Sequence, residues 1–265
     1  MTQDAWLLSN ESLRMDANSS LFREDRREFH LDRYKFAAKH CAGKRVLDGA
    51  CGTGYGAEVL GRSAREVIGI DCDADAVQYA SAHYGSESIS FVKSYVELTP
   101  FGDASFDIVT SFETVEHTLC PAAHLREIVR LLKPQVGSAI ISVPNSWGYT
   151  DHHFFDFNAK MFSELAEHFF VGVTYFSQNP TTHVRHPGIE PIASGDSVNA
   201  QCLIAVCEGP RKDVVVSDRL EAVITEIYRN VFVRHQEFLT LSYRQSTPFI
   251  RRGMNRLRRI FKKYR

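Results

Sequence analysis

The feature that most constrains the fold of this 265-residue chain is the segment VLDGACGTG at residues 46–54. Two apolar residues and an acid stand directly before a run of small residues that holds three glycines. The apolar pair predicts the end of a buried strand, and the glycines predict a tight turn in which the backbone comes close to a ligand. Ligands of open parallel sheets bind beyond the carboxyl ends of the strands. The segment therefore predicts a parallel sheet with a ligand site directly after its first strand.

Short apolar runs (VL, VIGI, DIVTSF and AIISV) alternate with helical segments and are rich in β-branched residues, as a parallel sheet buried on both faces requires. VGVTYFSQ and NAQCLIAVCEG alternate like strands and predict an antiparallel edge pair, and the turn-rich stretch 179–197 between them predicts a lid. The predicted class is α/β: a Rossmann-like, doubly wound, seven-stranded sheet, mostly parallel with an antiparallel edge, with helical extensions at both ends. Helices are predicted over 21–40, 54–63, 74–84, 122–132, 159–170 and 217–245.

The chain is predicted to consist of an N-terminal helical cap at 1–43, a main domain at 44–210 and a C-terminal helical extension at 211–265. The first residues show no basic segment followed by an apolar run, and no apolar stretch is long enough to cross a bilayer. The six cysteines lack metal-type spacing and fit reduced thiols. These features predict a cytoplasmic protein.

The C-terminal extension ends in a basic tail, because nine of the 31 Lys and Arg residues, and none of the 32 acids, fall within 244–265. The rest of the chain carries a net charge of about −10. Such a tail is typical of peripheral binding to a membrane, here its inner face; RNA phosphates, a protein partner and a plain solvated helix stay open as alternatives. Its apolar residues form one helical stripe: Ile250, Met254, Leu257, Phe261 and Tyr264.

An acid follows the glycine turn at the distance that nucleoside binding requires. Asp71 ends the second predicted strand, 23 residues after Asp48, where a carboxylate can accept both hydroxyls of a ribose. The glycines read G-x-x-G-x-G, whereas dinucleotide binding calls for G-x-G-x-x-G. A glycine turn of some other nucleotide-binding fold stays open at this point.

The segment from Asp48 to Gly54, together with Asp71, FDIVTSFETVEH and LLKPQVGSAIISVPN, resembles the class I S-adenosylmethionine-dependent methyltransferases over residues 40–175. The resemblance implies S-adenosylmethionine as cofactor. Many family members carry an acid shortly after the third strand, whereas here Tyr95 and Val96 are expected to hold the adenine by packing and backbone contacts. The predicted cofactor-binding residues are Asp48, Gly49, Ala50, Cys51, Gly52, Asp71, Cys72, Tyr95, Val96, Ser111 and Phe112.

The segment ETVEH predicts a chemical centre, since Glu113, Glu116 and His117 have the spacing i, i+3, i+4 of one helical face. Two carboxylates and an imidazole can bind a divalent ion such as Mg²⁺ or Mn²⁺ and lower the pKa of a substrate hydroxyl. Glu-x-x-Glu-His with a later His-x-Phe-acid-aromatic run resembles the metal-dependent small-RNA 2′-O-methyltransferases. That resemblance implies His153 as a fourth ligand. The ubiquinone-type O-methyltransferases share only the first motif.

Two alternatives to a metal stay open: His117 or His153 as a general base, and a purely structural role for the cluster. Asp156 is expected to orient a neighbour rather than to bind an ion. The predicted catalytic residues are the same four as the predicted ligands. Histidines without such a constellation are expected at the surface or in the lid: His124, His168, His183 and His186.

The segment HLDRYKFAAKH at 30–40 resembles bacterial methyltransferases that act on cell-surface glycans, which implies His30, Arg33 and Tyr34 near the pocket. Methylation of a hydroxyl on a sugar, a glycan or another small molecule is therefore the predicted activity. Methylation of an RNA 2′-hydroxyl and a non-catalytic, S-adenosylmethionine-binding partner subunit are the alternatives. Nucleic acid is the less favoured partner, because the chain outside the tail is acidic.

Overall fold

The computed structural model describes residues 7, 15–118, 120–148, 152–179, 188–194 and 199–214. By its contacts the chain divides into residues 1–214 and residues 215–265. The second unit lies outside the described residues, as do the predicted helix at 217–245, the basic tail, His183 and His186. None of the helices in the described ranges is both long and apolar enough to cross a membrane.

Helices and strands alternate as far as the third strand, the third and fourth strands follow each other directly, and three strands follow the last described helix. A short 3₁₀ helix, Val115–His117, follows the fourth strand. The helices are α1 (Glu24–Ala38), α2 (Tyr55–Gly61), α3 (Ala74–Tyr84), α4 (Pro121–Leu131) and α5 (Ala159–Phe169). The strands are β1 (Arg45–Gly49), β2 (Glu66–Asp71), β3 (Ile89–Lys93), β4 (Ile108–Phe112), β5 (Ser138–Pro144), β6 (Phe170–Gln178), β7 (Ile189–Ile192) and β8 (Cys202–Pro210).

The strands form one mixed sheet in the order β3-β2-β1-β4-β5-β8-β6-β7, and the five from β3 to β5 are parallel. Strand β1 lies between β2 and β4, so that Gly49 pairs with Ile70 on one side and Ser111 on the other. The chain turns back across the sheet at this point, which is the switch point where open α/β sheets bind ligands. The glycine turn and the acid that ends β2 therefore meet at one edge of the sheet.

The predicted antiparallel pair forms, since β6 pairs with β8, but this pair is not at the edge of the sheet, and one strand more than predicted is present. Strand β8 runs between β5 and β6 and is antiparallel to both. An eighth strand, β7, pairs with the end of β6 and forms the edge, so residues 189–192 of the predicted lid are a strand. Because of Pro191, the sequence pattern does not predict this strand. Proline is nevertheless tolerated on an edge strand, because one side of such a strand needs no backbone hydrogen-bond donor.

Helix α1 docks on α2 through aromatic packing. The Tyr34 ring lies edge-on to Tyr55 at 5.4 Å and to Phe112 at 4.9 Å between ring centroids. A Cβ atom on Gly56 would stand 2.0 Å from the Tyr34 ring, so only glycine permits this approach. The packing brings the N-terminal helix to the edge of the sheet that carries the glycine turn.

Candidate functional site

The glycine turn after β1 is held by the acid that ends β2. Ala50, Gly52 and Gly54 have φ angles of 56°, 55° and 89°, the left-handed region that glycine tolerates without a steric cost. The Asp71 carboxylate accepts a hydrogen bond from the backbone N–H of Gly52 at 3.0 Å. A second bond, from the Asp73 N–H at 2.9 Å, fixes its other oxygen. The predicted pair of turn and acid is thus one connected unit.

A pocket of about 410 Å³ opens beside this unit, and it is called the turn pocket below. Residues from five segments line it: the glycine turn, the end of β2, the loop at 94–97, the segment after β4 and the loop after β5. Six of the predicted cofactor-binding residues are among them: Ala50, Gly52, Asp71, Cys72, Tyr95 and Val96.

The other five predicted residues, Asp48, Gly49, Cys51, Ser111 and Phe112, do not line the turn pocket. Asp48 is completely buried and accepts hydrogen bonds from Thr110 Oγ1 at 2.8 Å and from the Tyr34 hydroxyl at 3.3 Å. Burial raises the pKa of Asp48 to about 7. Its carboxyl group thus links the end of β1 to β4 and α1 by hydrogen bonds and does not line the pocket.

Ser111 is fully buried and its hydroxyl lies 2.9 Å from Nε2 of His124. His124 was expected at the surface or in the lid, and this expectation is wrong, because α4 turns the residue toward the sheet with 2% of its surface exposed. The sequence gives a usable signal, since His124 stands one turn before Ile128 on the buried face of an amphipathic helix.

A second, larger pocket of about 690 Å³ lies beside the first, and it is called the histidine pocket below. All four predicted catalytic residues line it: Glu113, Glu116, His117 and His153. Three residues, Glu113, His117 and His152, line both pockets and therefore mark the place where the two meet. A group bound in one pocket can reach a group bound in the other only past these side chains.

His117 is the best oriented group at this junction. Its Nδ1 atom lies 2.7 Å from the carbonyl oxygen of His152, which can only accept, so Nδ1 carries the proton. Nε2 consequently holds the free electron pair, 3.7 Å from Oε1 of Glu116. Burial lowers the pKa of His117, and the nearby His153 lowers it further. The imidazole is therefore neutral near pH 7 and can take up a proton or bind an ion.

Glu116 contributes a buried carboxyl group that the protein leaves unsatisfied. Its residue is completely buried, and neither carboxylate oxygen accepts a hydrogen bond from another described residue. Burial and the charge of Glu113 raise its pKa well above the usual range. One ligand atom each from Glu116, His117 and His153 lie within 4.8 Å of one another. A buried, unsatisfied carboxyl group beside two imidazoles fits a divalent cation, which would take the place of the proton that the raised pKa keeps on Glu116.

Glu113 is not in this group of three, and the four-ligand set stays a prediction. The 3₁₀ helix begins at Val115, so Glu113 precedes it, with a left-handed φ of 48°, and the i, i+3, i+4 spacing places no common face there. Its carboxylate accepts instead from Ser142 Oγ at 2.7 Å and from the Cys202 thiol at 3.3 Å.

Helix α1 forms the other wall of the histidine pocket, as expected for His30 and Arg33. Arg33 is buried and donates to Gln178 Oε1 at 3.2 Å and to Nδ1 of His30 at 3.1 Å, and its Nη1 lies 3.9 Å from Glu113 Oε1. Tyr34 does not line either pocket, since its hydroxyl turns to Asp48 beneath the turn.

Several residues of the two pockets have no signal in the sequence. Trp147 and His152 belong to an irregular loop, in which periodicity predicts nothing. Asp156 of the same loop accepts from the Gly148 N–H at 3.0 Å and so orients the backbone, in keeping with its predicted role. The unpredicted residues of the histidine pocket are Met15, Arg23, Asp25, Arg26, Phe29, Trp147, His152 and Gln201. Those of the turn pocket are Ser94, Glu97, Thr114, Thr118, His152 and Phe154.

Comparison with known sequences gives two concordant results. A family model described as a methyltransferase domain matches residues 47–140. A probable S-adenosylmethionine-dependent methyltransferase of Mycolicibacterium smegmatis is 31% identical over 197 residues, which cover 70% of this chain and 74% of the relative. The matched range of the family model includes the glycine turn.

Two further proteins resemble parts of the chain. A ubiquinone biosynthesis O-methyltransferase of Xanthomonas oryzae is 38% identical over 104 residues, or 38% of this chain and 44% of the relative. A Thermotoga maritima structure, described as an S-adenosylmethionine-dependent methyltransferase and possible histamine N-methyltransferase, superimposes with a TM-score of 0.55 at 16% identity. It covers 69% of this chain and 90% of that one, and at this identity it shows the fold alone.

Proposed function

Because this chain belongs to the S-adenosylmethionine-dependent methyltransferases, we propose that it methylates a hydroxyl group of a sugar, a glycan or another small molecule. The observation that carries the proposal is the position of His117, a neutral imidazole that lines both pockets and holds its free electron pair on Nε2. A hydroxyl must lose its proton during methyl transfer, and a nitrogen acceptor needs less help. A base fixed at that place therefore favours a hydroxyl acceptor.

The proposal places S-adenosylmethionine in the turn pocket. The Asp71 carboxylate would accept the ribose hydroxyls, and Tyr95 and Val96 would enclose the adenine on the far side. The left-handed turn at Ala50 and Gly52 lets the cofactor approach the backbone. This arrangement directs the methyl end of the cofactor toward Glu113 and His117, where the turn pocket meets the histidine pocket.

The acceptor would occupy the histidine pocket and attack through the junction. Its oxygen forms a bond to the methyl carbon while the bond from that carbon to the sulfonium breaks, and S-adenosylhomocysteine leaves as a neutral sulfide. The proton of the hydroxyl passes to Nε2 of His117. The backbone carbonyl of His152 holds the ring by its Nδ1–H, so the base keeps its orientation during the transfer.

A divalent ion is the second way to activate the hydroxyl. Glu116, His117 and His153 would hold Mg²⁺ or Mn²⁺, and such an ion would lower the pKa of a bound hydroxyl. The single electron pair of His117 Nε2 cannot serve both as ligand and as base. Metal binding and general-base catalysis by His117 are therefore separable hypotheses.

Two observations support a small hydroxylated acceptor. The ubiquinone biosynthesis O-methyltransferase of Xanthomonas oryzae matches 38% of this chain, and its name describes the methylation of oxygen in the formation of a small molecule. The α1 wall of the histidine pocket includes His30 and Arg33 of the segment that resembles glycan methyltransferases.

The direct test is the release of S-adenosylhomocysteine with pairs of acceptors that differ by one oxygen. Glycosides and catechols would be compared with their deoxy or methyl-ether analogues, and short RNA oligonucleotides would be assayed at two salt concentrations. Turnover with hydroxylated acceptors that disappears with the deoxy analogues would support the proposal. Turnover only with amines, or salt-sensitive turnover only with RNA, would contradict it.

A further inference from the structure

The loop at residues 94–99 forms one wall of the turn pocket and is held from behind by helix α4. Residues 94–97 line the pocket. Two residues of α4, His124 and Glu127, stand one helical turn apart and both contact the loop. Neither of them lines the turn pocket.

His124 forms a hydrogen bond with the middle of the loop. Its Nδ1 lies 3.2 Å from the carbonyl oxygen of Val96, which can only accept, so Nδ1 is the protonated nitrogen. Nε2 must then accept from the Ser111 hydroxyl at 2.9 Å. Burial lowers the pKa of His124 to about 4, so the ring stays neutral and keeps this tautomer near pH 7.

Glu127 forms hydrogen bonds with the end of the loop. Its Oε1 accepts hydrogen bonds from the backbone N–H of Thr99 at 2.8 Å and from the Thr99 hydroxyl at 2.7 Å. Arg130 holds the same carboxylate at 2.6 Å. With its end fixed there, the hydrogen bond from His124 to Val96 is the other one that the described residues show between α4 and the part of the loop that lines the pocket.

The side chain of Val96 stands between the loop and the glycine turn. Its Cγ1 atom lies 3.9 Å from the position that a Cβ atom on Gly49 would occupy. Because Val96 lines the turn pocket, a shift of its side chain would change the width of the pocket where the adenine is proposed to lie. The hydrogen bond to its carbonyl oxygen controls that shift.

We propose that His124 is a positioning residue for the nucleoside of the cofactor: through the Val96 carbonyl it fixes the wall against which the adenine packs. The inference rests on the proposed placement of S-adenosylmethionine in the turn pocket. It assigns a buried histidine of α4 to cofactor affinity, although the residue touches neither cofactor nor acceptor.

The test compares two isosteric variants by calorimetric titration with S-adenosylhomocysteine and with adenosine. Asparagine at 124 places an amide nitrogen near the position of Nδ1 and can still donate to Val96, whereas glutamine reaches toward Nε2 and loses that bond. We expect His124→Gln to weaken both ligands by about 3- to 10-fold, the effect of one hydrogen bond. His124→Asn should stay within about twofold of the wild type.

Tyr175→Phe is the control for stability, because it removes a buried hydroxyl that contacts Ser163 O at 3.4 Å and Glu167 Oε1 at 3.2 Å, away from both pockets. It should lower the melting temperature without changing either affinity. Unchanged affinities in folded His124→Gln would overturn the inference, as would equal losses in the two His124 variants or a loss for S-adenosylhomocysteine but not for adenosine. No acceptor enters the titration, so a failure of the hydroxyl-acceptor proposal would leave its result intact.

Discussion

The Nδ1 atom of His117 lies 2.7 Å from the backbone carbonyl oxygen of His152, a residue 35 positions later in the chain. This bond shows which ring nitrogen carries the proton and leaves the free electron pair on Nε2 of a residue that lines both pockets. The loop after β5 thus orients a side chain that follows β4. The same loop supplies His153, whose ring centroid lies 4.8 Å from that of His117.

Replacement of His117 tests the base. His117→Gln should lower kcat with a hydroxyl acceptor by about 10²- to 10⁴-fold, because proton transfer to a positioned group contributes that much. The affinity for S-adenosylhomocysteine should stay near that of the wild type. His168→Gln is the matched control, since His168 lines neither pocket. A His117→Gln enzyme with full kcat would exclude the imidazole as base and as ligand.

Divalent cation binding should depend on Glu116 and not on Glu113. In calorimetric titrations of protein saturated with S-adenosylhomocysteine, Glu116→Gln should abolish binding of Mn²⁺, because the variant loses the only carboxylate among the three clustered ligand groups. Glu113→Gln should retain it, since that carboxylate turns to Ser142 and Cys202. Absence of binding to the wild type would leave His117 as general base; loss in both variants would restore Glu113 as a ligand.

Arg33 should contribute to stability through a buried charge network. Arg33→Met removes a buried cation, its bond to Gln178 and its ion pair with Glu113, so we expect the free energy of unfolding to fall by about 3 kcal/mol. Urea titrations would measure this loss. In the double variant with Glu113→Gln, part of the loss should return, because the carboxylate is no longer charged. Strict additivity of the two changes would show that the charges do not interact.

Asp48 should make the protein less stable as the pH rises from about 4 to 7. Burial raises its folded-state pKa from 3.8 to about 7, so the folded protein binds more protons than the unfolded chain in this window. The stabilising contribution of Asp48 is fully present below about pH 4 and is lost as the pH rises through about 7. The free energy of unfolding of Asp48→Asn, relative to that of the wild type, should therefore increase by up to about 1.4 kcal/mol per pH unit. Urea unfolding at pH 4.5, 5.5, 6.5 and 7.5 would measure this effect. The free energy of unfolding of the variant minus that of the wild type should rise along the series, and a constant difference would contradict the raised pKa of Asp48.

Much of the fold follows from local pattern. The apolar runs before the glycine turn and at VIGI, DIVTSF and AIISV predict strands that the structure contains, and ADAVQYASAHY predicts α3 with its observed bounds. The turn and Asp71 are both predicted to bind the ligand, and in the structure the Gly52 N–H donates a hydrogen bond to Asp71. These strands and this turn can be predicted from the sequence, because burial on both faces of the sheet and a left-handed backbone each restrict which residues fit.

Only the tertiary structure decided which of the predicted site residues share a surface. Glu113 was grouped with Glu116 by helical spacing, yet the chain is not helical before Val115, so its carboxylate points elsewhere. His124 carried no motif and became visible as a support of the cofactor loop only once α4 lay against it. Sequence alone determined the strand–turn–acid unit because its residues are constrained locally. The composition of the two pockets depends on contacts between distant segments, which no local pattern encodes.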